Sequence, residues 1–294
     1  MSEYSWDLIR NFSFDPLEFS SDGDAARLYA NVTWDVSNDL QFEGGAYATW
    51  IDNGDVSRKV DPRIGVAWAP IENHWLRAYY RQDTQMPTNY TLSPISTVGL
   101  APLDLSLFIG GQTETAAVRW DAEWSERFFT AVEYQHQTFD GVAMEIPGLL
   151  GYFDTITGKI DRFSISANYW IGGGLGAFGT MSWNDSEDTT PVTGGDFGVP
   201  LIPDYVGQVG FTYVSEARWK ATVAQTFVGP RVGAKIGAEI DDYNTTDIAF
   251  GWKSDSGHLE AGLQLLNAFD NDFEVAYGIP GPGRTILGTI RAKF

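Results

Sequence analysis

Apolar and polar residues alternate with a period of two along stretch after stretch of this chain, and the connections between those stretches alternate between short and long. Few folds satisfy both patterns. Between Arg27 and Val36, one parity carries Leu28, Ala30, Val32, Trp34 and Val36, while Arg27, Tyr29, Asn31, Thr33 and Asp35 take the other. A polar turn at Ser37–Asn38–Asp39 follows. The chain then returns with Leu40, Phe42, Gly44, Ala46, Ala48 and Trp50 against Gln41, Glu43, Gly45, Tyr47 and Thr49. Successive side chains of a strand point to opposite faces, so the two stretches read as an amphipathic hairpin. The same pattern sets Ala116, Val118, Trp120, Ala122 and Trp124 against Thr115, Ala117, Arg119, Asp121 and Glu123. In the last stretch Ile286, Gly288, Ile290, Ala292 and Phe294 point one way, and Thr285, Leu287, Thr289, Arg291 and Lys293 mostly the other.

Short turns fall near residues 37, 72, 125, 173, 215 and 255, and long connections near 20, 55, 95, 150, 193, 235 and 275. Among the long ones, an acidic loop runs through Asp24, a charged one covers 52–61, and a Pro/Thr/Ser/Gly-rich one covers 84–112. A first strand is expected over residues 5–14, and no helix of useful length anywhere. Strict parity of this kind predicts an all-β, antiparallel outer-membrane barrel of about fourteen strands, with short periplasmic turns and long external loops. Both ends of the chain then face the periplasm. Trp34, Trp50, Trp68, Trp124, Trp183, Trp252 and Phe294 sit near strand ends on the apolar parity, where aromatic side chains suit the two membrane interfaces. Continuous apolar runs of the roughly 18–20 residues that a membrane helix needs are absent. The mean hydropathy of -0.19 says little here, because averaging along a strand hides a one-sided apolar face. A soluble β-sandwich or propeller also alternates, but without this loop parity.

The absence of cysteine excludes disulfides, thiolate metal sites and cysteine nucleophiles. A formal charge of -20 argues against nucleic acid as a partner, since phosphates demand a basic footprint. His74, His136 and His258 share no metal-ligand spacing, and no Ser/His/Asp trio falls at one level of the wall, so neither metal, cofactor nor catalysis is expected. MSEYSWDLIR has no basic segment followed by an apolar one. The 294 residues therefore read as a mature segment or fragment, forming one transmembrane domain over 1–294.

Arg27, Arg63, Arg77, Arg119, Arg162 and Arg291 share the polar parity with Asp35, Glu43, Asp121 and Glu123 and are expected to face the lumen. Two roles suit them: an inter-strand ladder of opposite charges, or a surface that binds a plug or guides anionic ligands. Carboxylates crowd the long loops at Asp185, Glu187 and Asp188 and at Asp270, Asp272 and Glu274, without EF-hand spacing. Tyr90, Tyr152, Phe153 and Phe197 are the aromatic candidates for ligand contact in external loops.

The ending carries a further signal. Asn267, Phe269 and Asp270 close an apolar strand, Tyr277, Gly278, Pro280, Gly281, Gly283 and Arg284 form a Gly/Pro turn, and the final strand ends on Phe294. This arrangement resembles the C-terminus of the TonB-dependent outer-membrane receptor family. Leu28–Tyr29–Ala30 with Trp34, Gly44–Gly45, and Pro62–Arg63–Ile64–Gly65 with Trp68 and Pro70 are similar to its mid-barrel strands. The resemblance covers about two thirds of the chain. It implies a Gram-negative outer-membrane receptor that takes up a scarce nutrient such as an iron chelate. Its partners would be membrane lipid, the barrel assembly machinery and, through a plug domain, TonB. No plug or TonB box is found here, and the strands are too few for the family's whole barrel, so these residues are expected not to transport alone. A passive channel or exporter barrel and a soluble β-rich binding protein are the other classes the sequence leaves open.

Overall fold

The computed structural model describes residues 2–11, 16–52, 56–87, 96–105, 107–145, 153–190, 198–233 and 238–293, with side chains omitted at 2–11, 16–22, 143–145 and 153–155. Fourteen strands form one antiparallel sheet in which each strand pairs with its neighbours in sheet order, the two edge strands with one neighbour each. They are β1 (Ser2–Asn11), β2 (Pro16–Ser37), β3 (Leu40–Asp52), β4 (Val56–Ile71), β5 (His74–Thr84), β6 (Leu107–Ser125), β7 (Phe128–Glu145), β8 (Phe153–Gly172), β9 (Leu175–Asp188), β10 (Tyr205–Val214), β11 (Trp219–Val228), β14 (Tyr243–Lys253), β15 (Leu259–Leu266) and β18 (Thr285–Ala292). Two small hairpins sit in the last two long connections: β12 (Arg231–Val232) with β13 (Glu239–Ile240), and β16 (Glu274–Ala276) with β17 (Ile279–Pro280). Among the described residues no helix is long and apolar enough to cross a membrane, which says nothing about strands.

The short turns lie where the alternation puts them, at 38–39, 72–73, 126–127, 173–174, 215–218 and 254–258. At 173–174 both residues have positive φ, 60° and 88°, as a two-residue hairpin turn matched to strand twist requires. A Cβ on Gly174 would also lie 2.2 Å from the Val214 carbonyl oxygen, so glycine alone fits. At the other end the strands run further than the sequence suggests. β1 covers 2–11 rather than 5–14, and β2 begins at Pro16 and includes the acidic stretch through Asp24 expected to be loop. β3 and β4 likewise take up most of the charged 52–61 segment. The reason is physical. Period-two patterning marks only the part of a strand with one face in an apolar medium; beyond it both faces meet water and the pattern fades while the backbone ladder continues.

Register shows the two faces directly. One cross-strand row runs Trp34, Phe42, Val66, Ala78, Val118, Tyr134, Phe163, Trp183, Tyr205 from β2 to β10. Trp34 is four residues above its short turn and Trp183 nine above its own, the stagger expected of tilted barrel strands. On this face Leu28, Val32 and Ile290 are 76%, 68% and 82% exposed although they sit within strands. Arg63, Tyr47, Gln135 and Thr115 on the opposite face are buried. The sheet is thus inside-out relative to a soluble protein. Its apolar run spans eight residue steps on β2 (Leu28 to Val36), β6 (Ala116 to Trp124) and β8 (Phe163 to Ile171). At about 3.3 Å per step and a tilt of about 40°, that is about 20 Å along the membrane normal, close to the roughly 25 Å apolar band of outer-membrane barrels.

The sheet curls toward its polar face. Arg27 on β2 donates to the Thr84 carbonyl at the end of β5, three strands away. In a flat sheet that gap is about 14 Å, beyond the reach of an arginine. Among the described residues β1 and β18 do not pair with each other, so the curl is open along that seam.

Candidate functional site

The polar face carries a continuous chain of charges. Arg77, Arg119 and Glu133 are brought level by register on β5, β6 and β7. Two like charges lie directly opposite in that row, and Asp121, two residues along β6, neutralises both. It accepts from Arg77 Nη2 at 2.5 Å and from Arg119 Nε and Nη2 at 2.9 and 2.8 Å. Arg119 Nη1 reaches Glu133 at 3.3 Å, and Arg162 on β8 donates to Glu133 at 3.2 Å and to Gln135 at 2.8 Å. On β3 and β4, Arg63 donates to the Tyr47 hydroxyl at 2.5 Å, to the Glu43 carboxylate and to the Ser96 carbonyl. Arg27 donates to Thr49 at 3.0 Å, and Arg291 lies 3.9 Å from Glu260. The exposed Arg291–Glu260 pair contributes about 0–1 kcal/mol, whereas the buried Arg63–Glu43 pair must offset the desolvation of both ions. What they provide is a wet wall whose charges are matched strand by strand.

A segment of the β5–β6 connection lies on this face. β5 ends at Thr84, yet residues 97–100 pack beside Glu43, Gly65, Arg77 and Tyr79, five or more residues further down the wall. Thr97 and Leu100 exchange backbone hydrogen bonds of 2.9 Å around a tight turn with positive φ at Val98 (45°) and Gly99 (76°). A β-branched residue in that region is a backbone outlier. It is held by Glu43, whose Oε2 accepts the Val98 N–H at 2.6 Å, by Arg77, which donates to the Val98 carbonyl at 3.5 Å, and by apolar packing of Val98 and Leu100 on Tyr79, Ala117 and Ala67. The wall has made room: a Cβ on Gly65 would stand 2.8 Å from Thr97 Cγ2 and 2.9 Å from Val98 Cγ1. Further along, the Leu103 carbonyl accepts from Gln137 at 3.0 Å. Leu103, Leu105 and Leu107 then pack with Val199 and Ile202 onto Phe139, Val142, Ile156 and Ile160, forming an apolar cap near the end of the wall away from the short turns.

Beside the turn is a cavity of about 330 Å³ lined by Gly99, Arg119, Glu133, Arg162, Ser164 and Ser182. Two buried donors near it, Arg162 Nε and Gln135 Nε2, have no acceptor among the described residues. A second cavity of about 750 Å³ opens toward the short turns, between Asp35, Asp39, Trp75, Arg77 and Asp121. Its charged neighbours are three aspartates and one arginine. Among the described residues no group of three or more His, Asp or Glu side chains forms a metal site. His74 packs on Trp120 and Trp124, and His136 bonds Asp161 at 2.8 Å.

Of the aromatic loop candidates, Tyr90, Tyr152 and Phe197 lie outside the described residues; Phe153 opens β8 opposite Glu145, with its side chain outside the description. The C-terminal signature organises a loop. Asn267 is buried at φ 47°; its amide N–H donates to Asp247 at 2.9 Å, and its side chain bonds the Asn271 backbone twice at 2.9 Å and the Pro282 carbonyl at 3.3 Å. Asp270 accepts the Arg284 N–H at 2.7 Å, and the Gly281 N–H donates to the Phe273 carbonyl at 2.7 Å. Phe269 is exposed, and Phe294 lies outside the described residues. Sequence reasoning missed Glu43 as an anchor, Gly65 as a cleared space and Val98 as a held turn. A glycine on the polar parity of a wall strand was the available signal for the second.

The family model described as "TonB dependent receptor-like, beta-barrel" matches residues 4–268. No curated protein sequence matches. Among solved structures, the FrpB iron transporter from Neisseria meningitidis superposes with a TM-score of 0.69 at 15% identity, over 94% of this chain and 46% of that one. The ferric yersiniabactin uptake receptor FyuA from Yersinia pestis gives 0.70 at 14% identity, over 99% and 49%. The copper transporter OprC gives 0.73 at 13% identity, over 95% and 49%. At such identities the likeness shows the fold, and the chain spans just under half the length of these proteins. An inside-out antiparallel sheet with this turn parity, matched by the family model over nearly its whole length, belongs to the TonB-dependent receptor-like β-barrel family of the Gram-negative outer membrane.

Proposed function

We propose that residues 1–294 are one wall domain of an outer-membrane receptor that takes up a scarce nutrient, a metal chelate being the class its structural neighbours suggest. The observation that carries this reading is the pairing of an exposed apolar exterior with a charge-matched polar interior on a fold shared with proteins described as iron and copper transporters. Arg27, Arg63, Arg77, Arg119 and Arg162 face the lumen in this reading, and Tyr90, Tyr152, Phe153 and Phe197 meet the ligand from the external loops. Membrane lipid and the barrel assembly machinery are the partners of the wall. Energy from TonB reaches it through a plug domain, so residues 1–294 alone do not transport, and no catalytic step is assigned to them. The test is uptake of a panel of radiolabelled ferric and cupric chelates by Gram-negative cells lacking their own receptors. Cells carrying the whole receptor are expected to accumulate one of them, and cells carrying only residues 1–294 none. Accumulation by the second strain would sink the coupling argument, and steady conductance of residues 1–294 in a planar bilayer would favour a passive channel instead.

A further inference from the structure

We propose that the short-turn end of the polar face on β11, β14, β15 and β18 is the docking seat of an acidic segment of the plug domain, which rests on the reading of that face as the inside of a receptor wall. The chain carries a formal charge of -20, yet five of its 19 basic residues gather here. Register sets Lys253, Glu260 and Arg291 in one row. Arg218 extends that row, its carbonyl accepting the Lys253 N–H at 3.1 Å, and Lys293 follows beside His258. Lys220 lies one row further in, opposite Gly251. Glu260 alone answers three of these cations, with Lys253 at 3.5 Å, Lys293 at 3.3 Å and Arg291 at 3.9 Å. Asp255 takes Arg218 at 3.3 Å, and Lys220 makes no ion pair among the described residues. With Glu216 of the neighbouring turn counted, five cations meet three carboxylates.

The floor beside these cations is bare. The next row on the same face runs Val214, Lys220, Gly251, Gly262, Thr289 from β10 to β18, and the one after it holds Thr222, Ala249, Gln264 and Leu287. Gly251 and Gly262 leave two adjacent strands without a side chain, the condition under which another backbone can approach closely. A Cβ on Gly251 would meet nothing nearer than 4.0 Å, so packing within the sheet does not demand glycine there. Val214 and Leu287 stand on this otherwise polar face 48% and 45% exposed, apolar surface whose burial is favourable. A side-chain-free trough rimmed by cations, with an apolar residue on each side, fits a polypeptide segment that brings carboxylates and apolar side chains together. A small free anion would use the charge alone. Phospholipid headgroups meet the opposite face, which Trp219 and Trp252 line at this level.

Carbodiimide cross-linking of the whole receptor in outer membranes tests this, because it joins a lysine amine to a carboxylate in direct contact. The Lys293–Glu260 pair at 3.3 Å is the internal control. Peptide mass spectrometry is expected to find Lys220 and Lys253 joined to Asp or Glu residues of the plug. Lys220→Arg/Lys253→Arg keeps the charge and should lose those links alone. Lys220→Glu/Lys253→Glu should expose the plug to a periplasmic protease about tenfold faster. A wall strand lying beside β18 can reach Lys293, but Lys253 and Lys220 stand two and three strands further in, about 10 and 14 Å away. Plug links from Lys293 alone would therefore overturn the proposal in favour of a flanking strand. Links of Lys220 and Lys253 to a separate polypeptide or to none, or an unchanged protease rate, would overturn it outright. Heat-modifiable gel mobility separates the two levels: a receptor absent from the outer membrane contradicts the receptor reading itself, whereas an inserted barrel with the control link and no plug link contradicts only the docking seat.

Discussion

Val32→Arg tests the orientation of the whole sheet. Val32 is 68% exposed on the apolar face of β2, six residues above the turn at 38–39. Six steps are about 20 Å of strand and, at a tilt of about 40°, about 15 Å along the membrane normal, near the middle of a roughly 25 Å band. An arginine on the lipid face at that depth costs about 2–4 kcal/mol, or about 30- to 700-fold in the folded-to-unfolded ratio. The neighbouring Thr33 points to the other face, opposite Glu43, and Thr33→Arg is expected to stay within about 0.5 kcal/mol. Were the apolar face in water, both substitutions would fall in that small range. Guanidinium unfolding of the whole protein from phospholipid vesicles, followed by tryptophan fluorescence, measures the difference. Equal midpoints for the two variants would refute the lipid-facing assignment and everything built on it.

Three further outcomes follow from local geometry. Gly174→Ala forces a side chain into the left-handed region against the Val214 carbonyl, and should cost more than about 1 kcal/mol and reduce the yield of heat-modifiable barrel. Asn267→Ala removes the side-chain bonds to Asn271 and Pro282 from a buried position, a loss of about 2–3 kcal/mol. Faster hydrogen exchange confined to residues 267–284 is the expected signature, and uniform loosening of the sheet would contradict it. Arg119→Ala should leave stability within about 1 kcal/mol, since Asp121 keeps Arg77 and Glu133 keeps Arg162. Guanidinium midpoints of the native and Arg119→Ala proteins check this, and a loss well above about 1 kcal/mol would show that the charge chain acts cooperatively.

The strands and their faces were legible in the sequence because lipid on one side and water on the other impose a strict period of two. Val32, Trp34 and Ile290 could be assigned to one face by counting, and register places them there. Turns such as Gly173–Gly174 were legible for a similar reason: a two-residue connection leaves few conformations, and glycine satisfies them. Strand ends away from the short turns were not. Asp22 and Asp24 look like loop residues, yet each is paired across β1 and β2, because a ladder in water needs no apolar side.

The inserted turn was illegible for a different reason. Thr97, Val98, Gly99 and Leu100 stand in a Pro/Thr/Ser/Gly-rich stretch with no periodicity, and nothing local sends them inward. Their position is set by Glu43, Gly65, Arg77 and Tyr79, residues 18 to 55 positions away in sequence, each of which has a local explanation of its own as a wall residue. Glu43 reads as one rung of a charge ladder until its second oxygen is found on the Val98 N–H. Gly65 reads as a weak strand residue, since glycine adds nothing to a sheet face, until the 2.8 Å clearance to Thr97 gives it a purpose. The two observations constrain each other: a bulkier residue at 65 would expel the turn, and without the turn a bulkier residue at 65 would cost nothing. Gly65→Val should therefore destabilise the native protein yet be tolerated once residues 96–105 are replaced by a linker, a non-additivity that a wall glycine with only a local role cannot produce.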